Sequence, residues 1–348
     1  MRFIQVGVGG FGGTWVRALK NNRQAKVVGM VDVNPQAMQK VCEENGYDAS
    51  ICFPTLKQAL KSVEADVAVV VTPPVHHRAP VVEALGAGLH VISEKPMAES
   101  MADCKAMLCA ARKAKRHYVV SQNYRYAGDM YAMADLVKKG RIGEIGQVKI
   151  DFYKGVGFGG FRADMAYPLL VDMSIHHFDL IRFITGLDAV SVRGQAWNPK
   201  WSHFKGDCSS SICFTMENDA RVLYNGSWCA KGDYCDWNGN WQIEGSKGTI
   251  RYEKGVVTLD QVPKGYGVKK SAVVPPRKLR RIGQDYVLDN VIKSLSKGER
   301  PLTDVYDNIY SVAMVFGAVK AVKGERRIKV IDPALQQLID GKTAARRT

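Results

Sequence analysis

The sequence predicts an α/β fold, an N-terminal doubly wound domain followed by an α+β domain whose sheet is open and largely antiparallel. Three observations carry that prediction. Strand and helix patterns alternate over the first 122 residues, a glycine triplet joins the first strand to the first helix, and past residue 123 the rhythm gives way to successive strand patterns. At 348 residues the chain also exceeds the size at which one core usually keeps growing. The expected division is 1–122 and 123–348.

Taken in order, RFIQVGV (2–8) reads as a short apolar strand, and GGFGGTWVRALKN then shifts to helical spacing. KVVGMVDVN (26–34) is a strand and PQAMQKVCEENG (35–46) a helix; LKQALKSV is a helix and ADVAVVVTPP (65–74) a strand. HRAPVVEALGAG, LHVISEKP (89–96), MADCKAMLCAARKAK (101–115) and HYVVSQNY (117–124) continue the alternation. The second domain opens with a helix at about 129–140, the strand QVKIDFYK, the glycine-rich loop KGVGFGGFRADMAYP, and a helix beginning LLVDMSIHHFDLIRF (169–183). AVSVRGQAW, SSSICFTM, ARVLYNGSW, NWQIEG, GTIRYE and VVTLD then read as strands, and helices at about 284–297 and 304–323 close the domain. Only the tail GKTAARRT reads as disordered.

Composition narrows the function classes. The 46% hydrophobic and 24% charged residues suit an ordinary globular protein, and no apolar run is long enough to span a membrane. No export signal is read at the N-terminus, so a cytoplasmic protein is expected. The net charge of +15 is spread over ARKAKRH, KKGR, RKLRR and AARR without a nucleic-acid module, which reads as a solvated surface. Eight cysteines contain no C-x-x-C pair and no histidine at zinc-site spacing; reduced thiols and no metal site are expected.

Gly7, Gly9 and Gly12 spell G-x-G-x-x-G between the first strand and first helix, with Phe11 inside the loop. The first glycine permits a tight turn, the second lets backbone approach a pyrophosphate, and the third lets helix pack on strand. Free N–H groups at the helix start favour phosphate. Asp32 follows Gly12 by twenty residues, where a carboxylate can accept from a ribose and repel a 2′-phosphate. NAD is the expected cofactor, in preference to NADP.

TPPVHH (72–77), EKP (94–96), NYR (123–125), GRIGEI (140–145), FRAD (161–164) and D-x-x-x-H-x-x-D (172–179) occur in one order along the chain. In that order the sequence resembles the Gfo/Idh/MocA family of glucose–fructose oxidoreductases and inositol dehydrogenases over essentially its whole length. The resemblance implies a Rossmann domain joined to an α+β domain, a dimer or tetramer built on the open sheet, and redox chemistry at a secondary alcohol of a sugar or cyclitol. It places Thr72, Pro73, His77 and Glu94 near the nicotinamide half of the cofactor, and implies that Lys95, Asp172 and His176 are catalytic. Ala166, Tyr167, Pro168 and Ser174 differ from the family's common, glycine-rich pattern beside the expected substrate.

These residue types suit the chemistry. Hydride loss from a carbinol requires removal of its hydroxyl proton, which suits a histidine titrating near neutrality. A fixed ammonium beside that oxygen stabilises developing alkoxide, and Lys95 sits at a strand's carboxyl end, where such sheets bind ligands. On a helix Asp172 and His176 share a face, whereas His177 is rotated about 100° away and is expected to be structural. Asp179, three residues after His176, either orients the imidazole or pairs with Arg182. Five of the six tryptophans fall between 197 and 241; Trp197 and Trp201 in WNPKWSHF are the candidate sugar contacts, with core or subunit packing as the alternative use. Tyr124, Arg162 and Asp179 complete the substrate-contact candidates.

The expected function is therefore an NAD-dependent dehydrogenase of a sugar, glycoside or cyclitol, in a homodimer or homotetramer. Two rivals stand beside it. One cleaves glycosides with tightly held NAD by oxidation, elimination and re-reduction. The other is a catalytically silent NAD-binding regulator, against which the intact Lys95, Asp172 and His176 argue.

Overall fold

The computed structural model describes residues 1–232, 234–262, 264–267 and 270–341. The predicted disordered tail lies outside these residues except for Gly341. The chain forms two compact units, one from Met1–Asn123, Arg281–Ile309 and a final piece beginning at Gln337, the other from Tyr124–Arg280 and Tyr310–Gln336.

In the first unit, strands β1 (Arg2–Val6), β2 (Lys26–Val31), β3 (Cys52–Phe53), β4 (Val67–Val70), β5 (His90–Ser93) and β6 (Tyr118–Val120) make one parallel sheet in the order β3-β2-β1-β4-β5-β6. Helices α1 (Gly12–Lys20), α2 (Pro35–Asn45), α3 (Leu56–Ser62), α4 (Arg78–Gly86) and α5 (Met101–Ala114) provide the crossovers. Both faces are covered, which is why β4 reads VAVV with every residue buried. The strand order reverses between β1 and β4, and that switch point is where such sheets bind ligands.

A single cut at 122/123 with one continuous second domain does not describe the return of the chain at Arg281. The physical reason lies in contacts far apart in sequence. In the returning segment, α9 (Gly283–Ser296) packs on α1, Asp289 accepts from Asn22 Nδ2 at 2.7 Å, and Val120 N donates to Thr303 O at 3.1 Å. The next helix, α10 (Val305–Gly324), carries the chain from the first unit into the second.

The second unit holds α6 (Gly128–Lys138), β7 (Ile145–Tyr153), the short α7 (Phe161–Asp164) and α8 (Ser174–Thr185). Next come β8 (Ala189–Trp197), β9 (Ser209–Met216), β10 (Arg221–Ser227), β11 (Asn240–Gly245), β12 (Gly248–Glu253), β13 (Val256–Gln261) and β14 (Lys270–Val274). With β15 (Ile328–Lys329), which precedes the last helix α11 (Pro333–Asp340), they form a nine-stranded sheet, β14-β13-β12-β11-β7-β10-β9-β8-β15. Every pairing is antiparallel except β7 with β10. One face buries Val148, Ile150, Phe152, Ile212, Phe214 and Tyr224 against α8, where Phe178 meets Phe214 and Tyr224 edge-on. The other face is polar and open, with pairs such as Lys149–Asp151 at 2.7 Å. Among the described residues no helix is long and apolar enough to cross a membrane.

Candidate functional site

In the first unit the glycine loop meets the steric demands read from its sequence. Gly7 has φ 88°, and a Cβ there would lie 2.6 Å from Val71 O. A Cβ on Gly12 would lie 2.5 Å from Gly7 O, so a side chain would drive helix from strand. At Gly9 a Cβ would meet only Ala37 Cβ at 3.8 Å, leaving its backbone open to a ligand. No side chain caps the N-terminus of α1 at the exposed Phe11. Asp32 braces the loop: its Oδ2 accepts from Val8 N at 2.9 Å and Gly9 N at 3.4 Å, its Oδ1 from Asn34 N at 2.9 Å.

A groove of about 870 Å³ runs from Val6, Val31 and Thr72 at the carboxyl ends of β1, β2 and β4. Thr72 Oγ1 is buried there with no hydrogen-bond partner among the described residues, which fits a polar ligand in the groove. Pro73 is exposed, whereas His77 is fully buried. The His77 ring lies between two carbonyls, Nε2 2.8 Å from Thr72 O and Nδ1 3.2 Å from Met97 O. It thereby ties the Thr72 turn to the segment carrying Lys95, and burial holds its pKa below the ordinary histidine value. Glu94 is buried too; its Oε1 accepts from Trp15 Nε1 at 2.7 Å, and burial raises its pKa. Trp15 and Gln284, which reaches the same carboxylate at 3.5 Å, escaped sequence reading because neither belongs to a motif. Lys95 follows at the carboxyl end of β5, half-buried.

In the second unit, the helix predicted from LLVDMSIHHFDLIRF is two structures. Leu169–Met173 form a π turn, and Ser174 begins α8. The α-helical face assumed for Asp172 and His176 is thus corrected, since the wider turn changes their angular offset; such insertions are frequent at functional sites. Ser174 Oγ lies 3.0 Å from both Leu169 O and Tyr224 Oη at this junction. Burial on every side of 169–181 erased the amphipathic contrast from which sequence could have located the change.

Four candidates come together there. The His176 imidazole stacks on the Tyr124 ring, centroids 3.8 Å apart and planes at 13°. Burial, then the Asp172 and Asp236 carboxylates, raise the Tyr124 pKa, so its hydroxyl stays protonated. Arg162 Nε donates to Asp172 Oδ2 at 2.6 Å, and its guanidinium lies over Phe161 and Phe158. Asp236 is an addition that sequence reasoning missed, and Trp237, one of the five clustered tryptophans, takes the place there that was expected of Trp197 and Trp201. Asp236 accepts from Tyr252 Oη at 2.5 Å, and Trp237 stacks toward Phe158 with centroids 6.3 Å apart.

His177 points elsewhere: Nε2 lies 3.1 Å from Trp237 O and Nδ1 3.2 Å from Tyr224 Oη, and burial pushes its pKa down to about 4. Both partners proposed for Asp179 are corrected. Asp179 is held by Arg125 (Nη2 to Oδ1, 2.6 Å) and Ser311 (2.7 Å), while Arg182 pairs with Asp188 at 2.6 Å. The expected candidacy of Trp197 and Trp201 at this site also changes. Register aligns Trp197, Ser209, Ser227 and Tyr153 across four strands on the open face, opposite α8. Trp201 and Tyr234 border the same recess of about 600 Å³.

Comparison with known proteins agrees with both units. Residues 1–122 match the oxidoreductase family with an NAD-binding Rossmann fold, GFO/IDH/MocA, and residues 130–251 match the GFO/IDH/MocA C-terminal domain. Inositol 2-dehydrogenase of Rhizobium meliloti is 25% identical, covering 95% of this chain and 99% of its own. D-apiose dehydrogenase of Rhizobium rhizogenes is 24% identical, covering 93% and 96%. An oxidoreductase of Agrobacterium radiobacter, solved with NAD+, L-tartaric acid and magnesium, superposes with a TM-score of 0.85 at 22% identity, covering 95% of this chain and 98% of the other.

Proposed function

Since the chain belongs to the GFO/IDH/MocA family of NAD-binding oxidoreductases, we propose that it is a dehydrogenase moving hydride between NAD and a secondary hydroxyl of a sugar, glycoside or cyclitol. The observation that carries this reading is the His176–Tyr124 stack beside the Arg162–Asp172 pair. That cluster holds an imidazole with its plane fixed next to a carboxylate, which is what proton removal from a carbinol requires. The names of the inositol and apiose dehydrogenases support the substrate class. Bound NAD supplies the hydride acceptor; the glycine loop and the Thr72 groove would hold it.

In this reading His176 takes the carbinol proton, and Asp172 orders the imidazole or a substrate hydroxyl. Lys95 places its ammonium against the reacting oxygen, and the His77 strut and buried Glu94 fix the segment that presents it. Asp236 and Trp237 offer a hydroxyl acceptor and an aromatic face to a polyhydroxylated ring. A screen of sugars, glycosides and inositols with NAD, read by NADH absorbance and product analysis, tests the proposal. No NADH with any of them, together with unchanged substrates, would refute it.

The cofactor preference is proposed on Asp32, whose carboxylate at the end of β2 opposes a 2′-phosphate. Arg78 lines the same groove but is paired with Asp103 at 2.9 Å. kcat/KM is expected to be higher with NAD than with NADP, and Asp32→Ser should narrow the gap while weakening NAD, because it also removes the brace on Val8 and Gly9. Equal efficiencies in the unaltered enzyme would contradict this.

The open face of the nine-stranded sheet supports a homo-oligomer. Exposed Trp197, Trp201 and Tyr234 at one end and Arg193, Leu223 and Arg327 around a second recess make a surface suited to a second copy. Light scattering should give at least twice the 38.4 kDa chain mass; a monomer at micromolar concentration would exclude it.

A further inference from the structure

Cys42 and Cys52 take no part in the chemistry above, yet their Sγ atoms lie 3.3 Å apart. That is within about 1.3 Å of a bonded S–S separation of about 2.05 Å. Cys42 is on the buried side of α2 and Cys52 is in β3, paired with Met30 of β2. Cys52 packs against the cluster of Val8, Val16, Met30, Met38 and Val41 behind the glycine loop, and Cys42, itself buried, follows Val41 on α2. The two sulfurs are therefore held by separate elements that the core already presses together.

We propose that Cys42 and Cys52 are a modification site, a dithiol that a hydroperoxide converts to an intramolecular disulfide stapling α2 to β3 beneath the cofactor groove. The step balances without help from the rest of the protein. One thiolate attacks the O–O bond of ROOH, giving a sulfenic acid and, once protonated, ROH; the second sulfur displaces the hydroxyl as water, forming the S–S bond. Two thiols lose two electrons and two protons, and the hydroperoxide is reduced.

The location ties this bond to cofactor binding. Cys52 and Phe53 lead into Pro54, Thr55 and Leu56, which line the groove; α2 starts just beyond Asp32, at Pro35, capped by Asn34. Drawing the sulfurs together pulls α2, and with it the turn at 32–34 that leads into it, toward the groove wall at 54–56. Burial, then the contact with Cys42, pushes the Cys52 thiol up to about 12, so it stays protonated at neutral pH. Oxidation is accordingly slow there and accelerates as pH rises.

The test uses the full chain with Cys109→Ser, which removes the exposed thiol among the eight cysteines. After incubation with hydrogen peroxide, mass spectrometry should show a loss of 2 Da (roughly one hydrogen per sulfur) and a linked peptide pair carrying Cys42 and Cys52, both reversed by dithiothreitol. The melting temperature should rise by roughly 5–10 °C, as for closing a short loop. The dissociation constant for NAD should rise about three- to tenfold, roughly a kcal/mol-scale change in the fit of the groove. Cys42→Ser and Cys52→Ser, near-isosteric changes, should each abolish all three effects. Thiols that both remain open to alkylation after exposure, oxidation stopping at sulfinic acid on one of them, or a linked form with unaltered melting temperature and NAD affinity would each overturn the proposal.

Discussion

Replacing His176 by alanine is expected to lower kcat by about two to four orders of magnitude, the usual span for a lost general acid–base group. Its NAD affinity should change little, because its proposed role is on the carbinol proton and the phosphates fall to the glycine loop. His177→Ala is the matched control, adjacent in sequence but opposite in surroundings. His177 stays neutral down to about pH 4 and faces Tyr224 and the Trp237 carbonyl, so it has no proton to exchange at working pH. Its removal should leave the hydroxyl of Tyr224 and a backbone carbonyl short of partners, costing about 1–3 kcal/mol of stability. Activity per folded molecule should survive far better than in His176→Ala. Steady-state rates on both variants, with folding checked by circular dichroism, decide between them. A larger activity loss in His177→Ala than in His176→Ala would remove His176 from the mechanism.

Lys95→Ala is expected to cost about 3–4 kcal/mol in the transition state, roughly a hundred- to thousandfold in kcat, as when one preorganised donor to a developing oxyanion is deleted. KM for NAD should stay within a fewfold of the unaltered enzyme, since the proposed charge acts on the reacting oxygen and the phosphates belong to the glycine loop. The split between kcat and KM is the informative measurement. A lysine serving only to hold its loop would change both together, and an unchanged turnover number would exclude it from catalysis. His77 gives a useful contrast, because its ring spans Thr72 O and Met97 O and touches the chemistry only by holding that loop.

Much of this architecture was legible because local physics repeats along the chain. The strand SSSICFTM was found at its observed limits since it buries one face, with Ile212, Phe214 and Met216 alternating against more exposed neighbours. The edge strand β14 has no buried residue to betray it, and β15 is two residues long. The glycine fingerprint was equally readable, because the left-handed φ of 88° at Gly7 and the close approach of Gly12 to Gly7 O arise within one strand–turn–helix unit, although the contact of Gly7 with Val71 O comes from a later strand end.

What the sequence by itself determined, then, is what period and local sterics encode: a parallel sheet with a dinucleotide loop, a second domain rich in antiparallel strands, and a short set of polar residues inside an otherwise apolar helix. Tertiary structure decided which of those residues meet. Asp179 was given to Arg125, 54 positions away, instead of to His176 or Arg182, and Arg162 was brought from a glycine-rich loop onto Asp172. Trp197 went to the far side of the sheet from α8 through strand register, where side chains alternate and a shift of one residue exchanges the faces. The Sγ atoms of Cys42 and Cys52 met because α2 and β3 share a core. Such pairings are chosen by the packing of distant segments, whose burial energy outweighs the few tenths of a kcal/mol that a neighbouring pair on an exposed helix offers.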